Sequence, residues 1–464
     1  MPQNSVKEIV SQARLAQAQF EKASQEIVDE LIVALAWEII KPETNYSLSK
    51  QAVECTGLGN LEDKIKKNNR KTLGLLRDLK NVPSCGVIKD LPEKGLVEIA
   101  RPVGIVGAIT PSTNPIATPL NKTINAIKGR NAIIIAPSPK GDEICVRIIS
   151  LLQNILLNLG LPKNLIQKLP SPASKSATLK LMELVDLTIV TGSQNNVRAS
   201  YRSGTPAIGV GIGNVSTIID ETADLTSSAK KIISSKAFDN ATSCSSENSV
   251  IILDDVYDKM IKTFKNEGGM MLTRQESEIL QNELWIDGRL NEDLIAKSAP
   301  EIAKKIGIER PEINKIKILL VEEIGIGIEY PFSGEKLCPV LTVYKAKNFE
   351  DACEIINNIY EFQGKGHSVG LHSFNEKRPL EMALNLPACR VIVNQAHCFA
   401  TGGSFDNGLP FSLSMGCGTW GGNSIDENLN YLHYLNIVRI VKPISSNEPS
   451  LDEIFSDYWK KYGR

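Results

Sequence analysis

At the start of the chain, apolar residues recur at helical spacing, with Ile9, Ala13, Ala16 and Phe20 forming one stripe between polar neighbours. This spacing predicts amphipathic packing helices over residues 5–40 and again after Thr44. The pattern changes after Gly86. Short apolar stretches at Val87-Ile88 and at 96–100 flank Asp90-Leu91-Pro92-Glu93-Lys94-Gly95, which predicts a hairpin. Compact apolar runs follow at 105–110 and 132–136, without polar alternation, as expected of parallel strands buried on both faces. A helical stretch at 120–128 lies between them and completes a β-α-β unit.

The alternation continues through a helix at 144–159, a strand at 187–190 and the turn Thr191-Gly192-Ser193 before another helix. Beyond Ser216, strands at 250–253, 316–321, 340–344, 369–372 and 391–394 alternate with helices such as 350–360. The predicted class is α/β with two doubly wound domains, and ligand is expected at the carboxyl ends of the first set of strands. Residues 431–441 are β-branched and alternating but too isolated for a sheet of their own. They are expected to pair elsewhere, another subunit being one candidate.

A chain of 464 residues exceeds what one core usually accommodates. Its 52 basic and 53 acidic side chains leave no net field to attract polyanions, so nucleic acid is not an expected partner. Residues 1–8 lack the basic and apolar stretches of a signal peptide, and no apolar run approaches the roughly 20 residues that span a bilayer. A soluble, cytoplasmic protein is expected, without membrane association. The absence of an extension ahead of the first helix also argues against packaging in a microcompartment. Nine scattered cysteines with no C-x-x-C suit a reducing compartment, and four dispersed histidines with no H-E-x-x-H make a metal site unexpected.

Candidate chemistry centres on Cys244, in Thr242-Ser243-Cys244-Ser245-Ser246-Glu247-Asn248. Glycine-dense stretches at Gly209-Val210-Gly211-Ile212-Gly213-Asn214 and Gly416-Cys417-Gly418 allow close backbone approach. One thiol among small hydroxyls in an enzyme-sized chain points to covalent catalysis by a thiolate, set against a plain buried hydrophobe. A free thiol has a pKa of about 8.5, so the first reading requires oriented donors or a bound cofactor to favour the thiolate.

These motifs, with Ile109-Thr110-Pro111-Ser112-Thr113-Asn114-Pro115, Val190-Thr191-Gly192-Ser193 and Glu335-Lys336-Leu337-Cys338-Pro339-Val340, resemble the aldehyde dehydrogenase superfamily in order and type. The likeness is to its coenzyme-A-acylating branch. It implies an aldehyde dehydrogenase-like fold: a nicotinamide cofactor domain at 1–215, a catalytic domain at 216–425 and an oligomerisation segment at 426–464. The hairpin at 85–100 is expected to join a small β oligomerisation element, in a homo-dimer or tetramer.

By the same resemblance Cys244 is the nucleophile and Asn114 an oxyanion donor, where the residues alone also allow a turn. His367 is a candidate base for the incoming thiol or an ordinary hydrogen-bonded histidine. Thr110, Pro111, Ser112, Ser138, Lys140, Gly192, Ser193, Gly211 and Glu335 are implied to bind NAD or NADP. Helix capping and solvated surface remain alternatives for Ser193 and Lys140. A ribose-binding lysine of hydrolytic relatives aligns near Ala136, which leaves the choice of nicotinamide open. Cys417 reads as packing.

Those relatives carry a water-activating glutamate at the position matched by Gly209, and none stands here. The implied reaction is oxidation of a short aldehyde to an acyl-coenzyme A. Thr242 to Asn248 and Thr56-Gly57-Leu58-Gly59-Asn60 resemble the sulfoacetaldehyde-oxidising group, with hydroxyls available to a sulfonate. Three alternatives stand beside it: a dehydrogenase releasing free acid, a reductase of acyl phosphates, and a catalytically silent oligomeric scaffold.

Overall fold

The computed structural model describes residues 3–464, with side chains from Ser5 onward, so Met1 and Pro2 of the expected leaderless terminus lie outside it. The helical stretch predicted over 5–40 is two helices, Gln3–Phe20 and Gln25–Ile40. Ser24 divides them, because its hydroxyl accepts the Ile27 N–H and caps the second helix. Helices Pro42–Thr56 and Leu61–Leu79 follow, separated by Gly57 in the left-handed region and by the Asn60 cap.

The first sheet has five parallel strands in the order Ile166–Lys168, Ala132–Pro137, Ile105–Thr110, Leu187–Val190 and Ala207–Gly209. Ile105–Thr110 and Ala132–Pro137 are buried at every position, which explains their unbroken apolar runs. The second sheet has seven parallel strands in the order Gly269–Met271, Ile318–Glu322, Val340–Ala346, Glu247–Leu253, Val215–Ile219, Val369–His372 and Val391–Val393. Helices cover each sheet, and separate apolar clusters form the two interiors. The fold is therefore α/β with two doubly wound sheets, and the chain changes sheet between Gly209 and Val215.

Parallel register places certain loops side by side. Val215 pairs with Glu247 and Val369 with Ser216, so the residues preceding these interior strands meet at one end of the second sheet. Cys244 and His367 both lie there, at the amino ends of strands. The loops after Thr110, Pro137, Val190 and Gly209 leave the carboxyl ends of the first sheet. The loop at 411–424 ties the two sheets, through Thr191 to Ser414 (2.6 Å) and Ser424 to the Ala207 carbonyl (2.9 Å).

The late strand Leu435–Val441 finds its partner within the chain. It pairs antiparallel along Leu96–Pro102, which pairs with Gly86–Leu91, in a separate three-stranded sheet. The terminal helix Leu451–Tyr462 buries no residue. Among the described residues, no helix is long and apolar enough to cross a membrane.

Candidate active site

The approach to Cys244 is strained and tied down. Asp239, Asn240 and Ala241 have φ of 48°, 53° and 60°, a left-handed run that non-glycine residues adopt only when their surroundings impose it. The fully buried Asp239 carboxylate supplies the restraint. It accepts from Lys64 (3.2 Å), Lys67 (2.5 Å), the Thr242 hydroxyl (2.8 Å) and the Asn60 N–H (2.9 Å). A Cβ on Gly59 would lie 1.9 Å from its Oδ1, so glycine is required there.

Cys244 is half-buried, with the His367 Nε2 at 3.7 Å from its sulfur. His367 Nδ1 meets the Ser368 hydroxyl at 2.8 Å, and that hydroxyl meets His397 Nε2 at 2.9 Å. With the thiol as donor, the chain runs outward from sulfur: S–H to Nε2, Nδ1–H to Ser368, and Ser368 O–H to His397. Burial pushes His367 down to about 3 and His397 well below the ordinary imidazole value, so both rings are neutral acceptors.

The protein's own groups do not favour the thiolate. Burial, then the charge of Glu335, pushes Cys244 up to about 12, and these outweigh the Ser245 hydroxyl and the cysteine's own N–H, which act the other way. Burial likewise pushes Glu335 up to about 8, so at neutral pH it is mainly a neutral carboxyl.

On the opposite flank, Lys67 Nζ donates to Asn114 Oδ1 at 2.8 Å, which fixes the amide orientation and leaves Nδ2 with only a 3.5 Å contact to Thr113 Oγ1. Asn114 and Ser243 line one cavity of about 30 Å3, together with Lys67, Arg70 and Lys71. An outer cavity of about 610 Å3 shares Arg70, Phe238 and Phe399 with it.

The glycines leave little room for a carboxylate. A Cβ at Gly209 would lie 2.5 Å from Val197 Cγ1, at Gly211 2.8 Å from the Cys417 sulfur, and at Gly213 2.0 Å from the Cys244 carbonyl oxygen. Gly211 thus packs under Cys417, whose thiol burial pushes up to about 11.

The remaining sequence candidates divide. The Thr110 carbonyl accepts the Ser138 N–H at 3.0 Å, while the buried Ser138 Oγ has no protein partner among the described residues. Such an orphaned hydroxyl at the carboxyl ends of parallel strands fits a polar ligand. Pro111 and Ser112 are half-buried in the loop leading to Asn114, and Gly192 faces open space. Ser193 and Lys140 have structural partners: Ser193 caps Gln194–Arg202, and Lys140 pairs with Glu292 at 2.6 Å. Among the described residues, no His, Cys, Asp or Glu cluster is arranged to hold a metal ion.

Sequence reading missed Ser368, His397, Lys67, Arg70 and Lys71. For the last three a signal existed, since positions 67, 70 and 71 share one helix face and the buried positions of that helix include Lys64, Lys67, Asn68 and Thr72. An ordinary amphipathic helix buries apolar residues there.

The aldehyde dehydrogenase family profile matches residues 2–273. Sulfoacetaldehyde dehydrogenase (acylating) of Cupriavidus necator is 52% identical over 99% of this chain and 93% of its own length. The crystal structure of an acetylating aldehyde dehydrogenase from Geobacillus thermoglucosidasius superposes with a TM-score of 0.92 at 35% identity, covering 97% of this chain and 98% of the other. A Rhodopseudomonas palustris propionaldehyde dehydrogenase with bound propionyl-CoA superposes with a TM-score of 0.84 at 25% identity, covering 94% of each.

Proposed function

The chain belongs to the aldehyde dehydrogenase family, and we propose that it oxidises a short aldehyde with NAD or NADP and transfers the acyl group to coenzyme A through a thioester on Cys244. One observation carries the choice of coenzyme A over water. The glycines at 209, 211 and 213 are packed where side chains do not fit; burial, which pushes Glu335 up to about 8 and keeps it mainly protonated at neutral pH, points the same way. A protonated carboxyl does not take a proton from water.

In this reading the Cys244 sulfur bonds to the carbonyl carbon as its proton passes to His367 Nε2, so neither partner becomes charged alone in the buried site. The Asn114 amide and the Cys244 N–H donate to the oxygen that acquires charge. The nicotinamide, when bound, takes the hydride. Thr110, Pro111, Ser112, Ser138 and Gly211 line its approach, and the orphaned Ser138 hydroxyl is the protein group that most needs such a ligand. Gly192, Ser193, Lys140 and Glu335 complete the assignment, with Lys140 first leaving Glu292. The proton on His367 is lost to solvent as the net proton of the oxidation, the thiol of coenzyme A attacks the thioester carbon, and its proton passes by way of the neutral His367 to the Cys244 sulfur as that bond breaks. Acyl-coenzyme A leaves with the thiol restored.

Sulfoacetaldehyde is the proposed substrate, given the Cupriavidus relative. The protein acts in the cytoplasm as a homo-oligomer. Val438, Ile440 and Val441 of the late strand, and apolar residues of the terminal helix, are among the exposed surfaces available to a second copy.

Enzyme, aldehyde and nicotinamide mixed with and without coenzyme A test the reading. Sustained reduction and acyl-coenzyme A are expected only with the thiol present. Sustained turnover to free acid in its absence overturns it.

A further inference from the structure

The flank of Cys244 that holds Asn114 is unusually rich in cations. Asp239 compensates Lys64 and Lys67 in part, one carboxylate against two ammonium groups. Arg70 and Lys71 have no carboxylate within ion-pair distance among the described residues. Arg70 Nη2 donates to the Ser404 hydroxyl at 2.6 Å and lies 3.4 Å from the Phe399 carbonyl, its plane rests near Phe399, Phe405 and Phe411, and its Nε is buried without a partner. The Ser404 hydroxyl passes its own hydrogen to Asp406, which makes no ion-pair contact with Arg70 but feels its charge, after the Ser404 hydroxyl and its own N–H, as a cause holding that carboxyl below the usual range. Lys71 Nζ donates to one neutral group, the Gly402 carbonyl, at 2.6 Å.

Half-buried cations without counter-ions are costly unless a ligand supplies the charge. Both line the small cavity that also holds Asn114 and Ser243, and Arg70 lines the outer cavity as well. The serine and threonine hydroxyls, expected from sequence to meet a sulfonate, are mostly occupied. Thr242 donates to Asp239, Ser246 to the Ser243 carbonyl, and Ser245 shares a 3.2 Å contact with Ser243. The inner cavity, at about 30 Å3, admits only a small group.

We propose that Arg70 and Lys71 form the subsite for the negatively charged end of the aldehyde, a sulfonate or carboxylate, with the carbonyl held between Asn114 and Cys244. This rests on the aldehyde-oxidising reading above and adds the residues that select an anionic substrate. Arg70 Nε and the spare hydrogens of the Lys71 ammonium are the donors offered to the anion.

The test compares kcat/KM for sulfoacetaldehyde, for succinate semialdehyde and for uncharged propanal in the wild type, Arg70→Met, Lys71→Met and Arg70→Lys. The ratio of anionic to neutral substrate is expected to fall about 10- to 100-fold in each methionine variant. Arg70→Lys should recover part of it. A loss confined to sulfoacetaldehyde identifies a sulfonate site, and a loss on both anions a general one. An unchanged ratio overturns the subsite, whatever happens to the absolute rates. Ethanesulfonate protection of Cys244 from alkylation, expected in the wild type and weakened in the variants, supplies a readout independent of turnover. Wild-type enzyme inactive on every aldehyde with coenzyme A defeats the broader reading instead, and is recognised before any variant is made.

Discussion

Cys244 is flanked by two neighbourhoods that handle charge in opposite ways. Toward His367, Ser368 and His397 the hydrogen-bonded chain itself is neutral: both rings are pushed below the imidazole range chiefly by burial, with the Arg390 guanidinium beside the His367 carbonyl acting in the same direction. Toward Asn114 the walls carry Lys67, Arg70 and Lys71, with a single buried carboxylate at Asp239. A chain of neutral hydrogen bonds can move a proton without leaving a stranded charge, and a cluster of cations, with Lys71 charged below about pH 7, can hold an anion. On the proposed reading, proton transfer belongs to one side and substrate orientation to the other.

The comparison breaks most visibly at His367. His367→Ala is expected to slow thioester formation by about 10^2- to 10^4-fold, the usual range for a general base. It should leave the preference between anionic and neutral aldehydes unaltered. Stopped-flow measurement of the first nicotinamide turnover checks this, and a lost preference would join the two flanks into one functional unit.

A smaller effect is expected from Asn114→Ala, which removes one oxyanion donor at a cost of about 3 kcal/mol, or roughly 10^2-fold in kcat. Lys67→Met frees the amide to turn over and should cost less, about tenfold, again in kcat more than KM. Because Lys67 also pairs with Asp239, its melting temperature is measured alongside, and Lys67→Arg should restore part of the rate.

The mildest test is pH. Burial, followed by Arg70 and Lys67, brings Lys71 down to about 7, while Cys398 and Cys244 act in the opposite direction. Lys71 is cationic below that value and neutral above it, so preference for an anionic aldehyde should decline as pH rises from 6 to 8, by at most about tenfold. Cys244 and His367 do not titrate in that interval, whereas Glu335 and Lys64, each at about 8, begin to titrate at its upper end in every variant. Lys71→Arg should flatten the curve, and a decline that persists in it would move the titration elsewhere.

Much of the fold is legible because burial is written locally. The strands Leu187–Val190 and Val369–His372 fall on the predicted residues, and a helix predicted at 350–360 is Phe349–Phe362. Capping is less visible, as the division of one predicted helix by Ser24 illustrates. The candidate site is legible where chemistry coincides with a motif, at Cys244, Asn114 and Glu335. It is obscure where a residue matters only through a neighbour distant in sequence.

By itself the sequence determined two parallel sheets, a thiol among small residues and glycines in place of a carboxylate, since spacing and residue type are properties of short stretches. Tertiary structure alone decided which groups surround that thiol. Parallel pairing brings His367 to Cys244 across 123 positions, and helix packing brings Arg70 to Ser404 across 334. No local pattern records such a meeting, because it depends on which strand edges pair and which helix face is covered. The same enclosure sets the charge states, leaving the thiol and imidazole neutral and, among the described residues, Arg70 and Lys71 without a carboxylate at ion-pair distance.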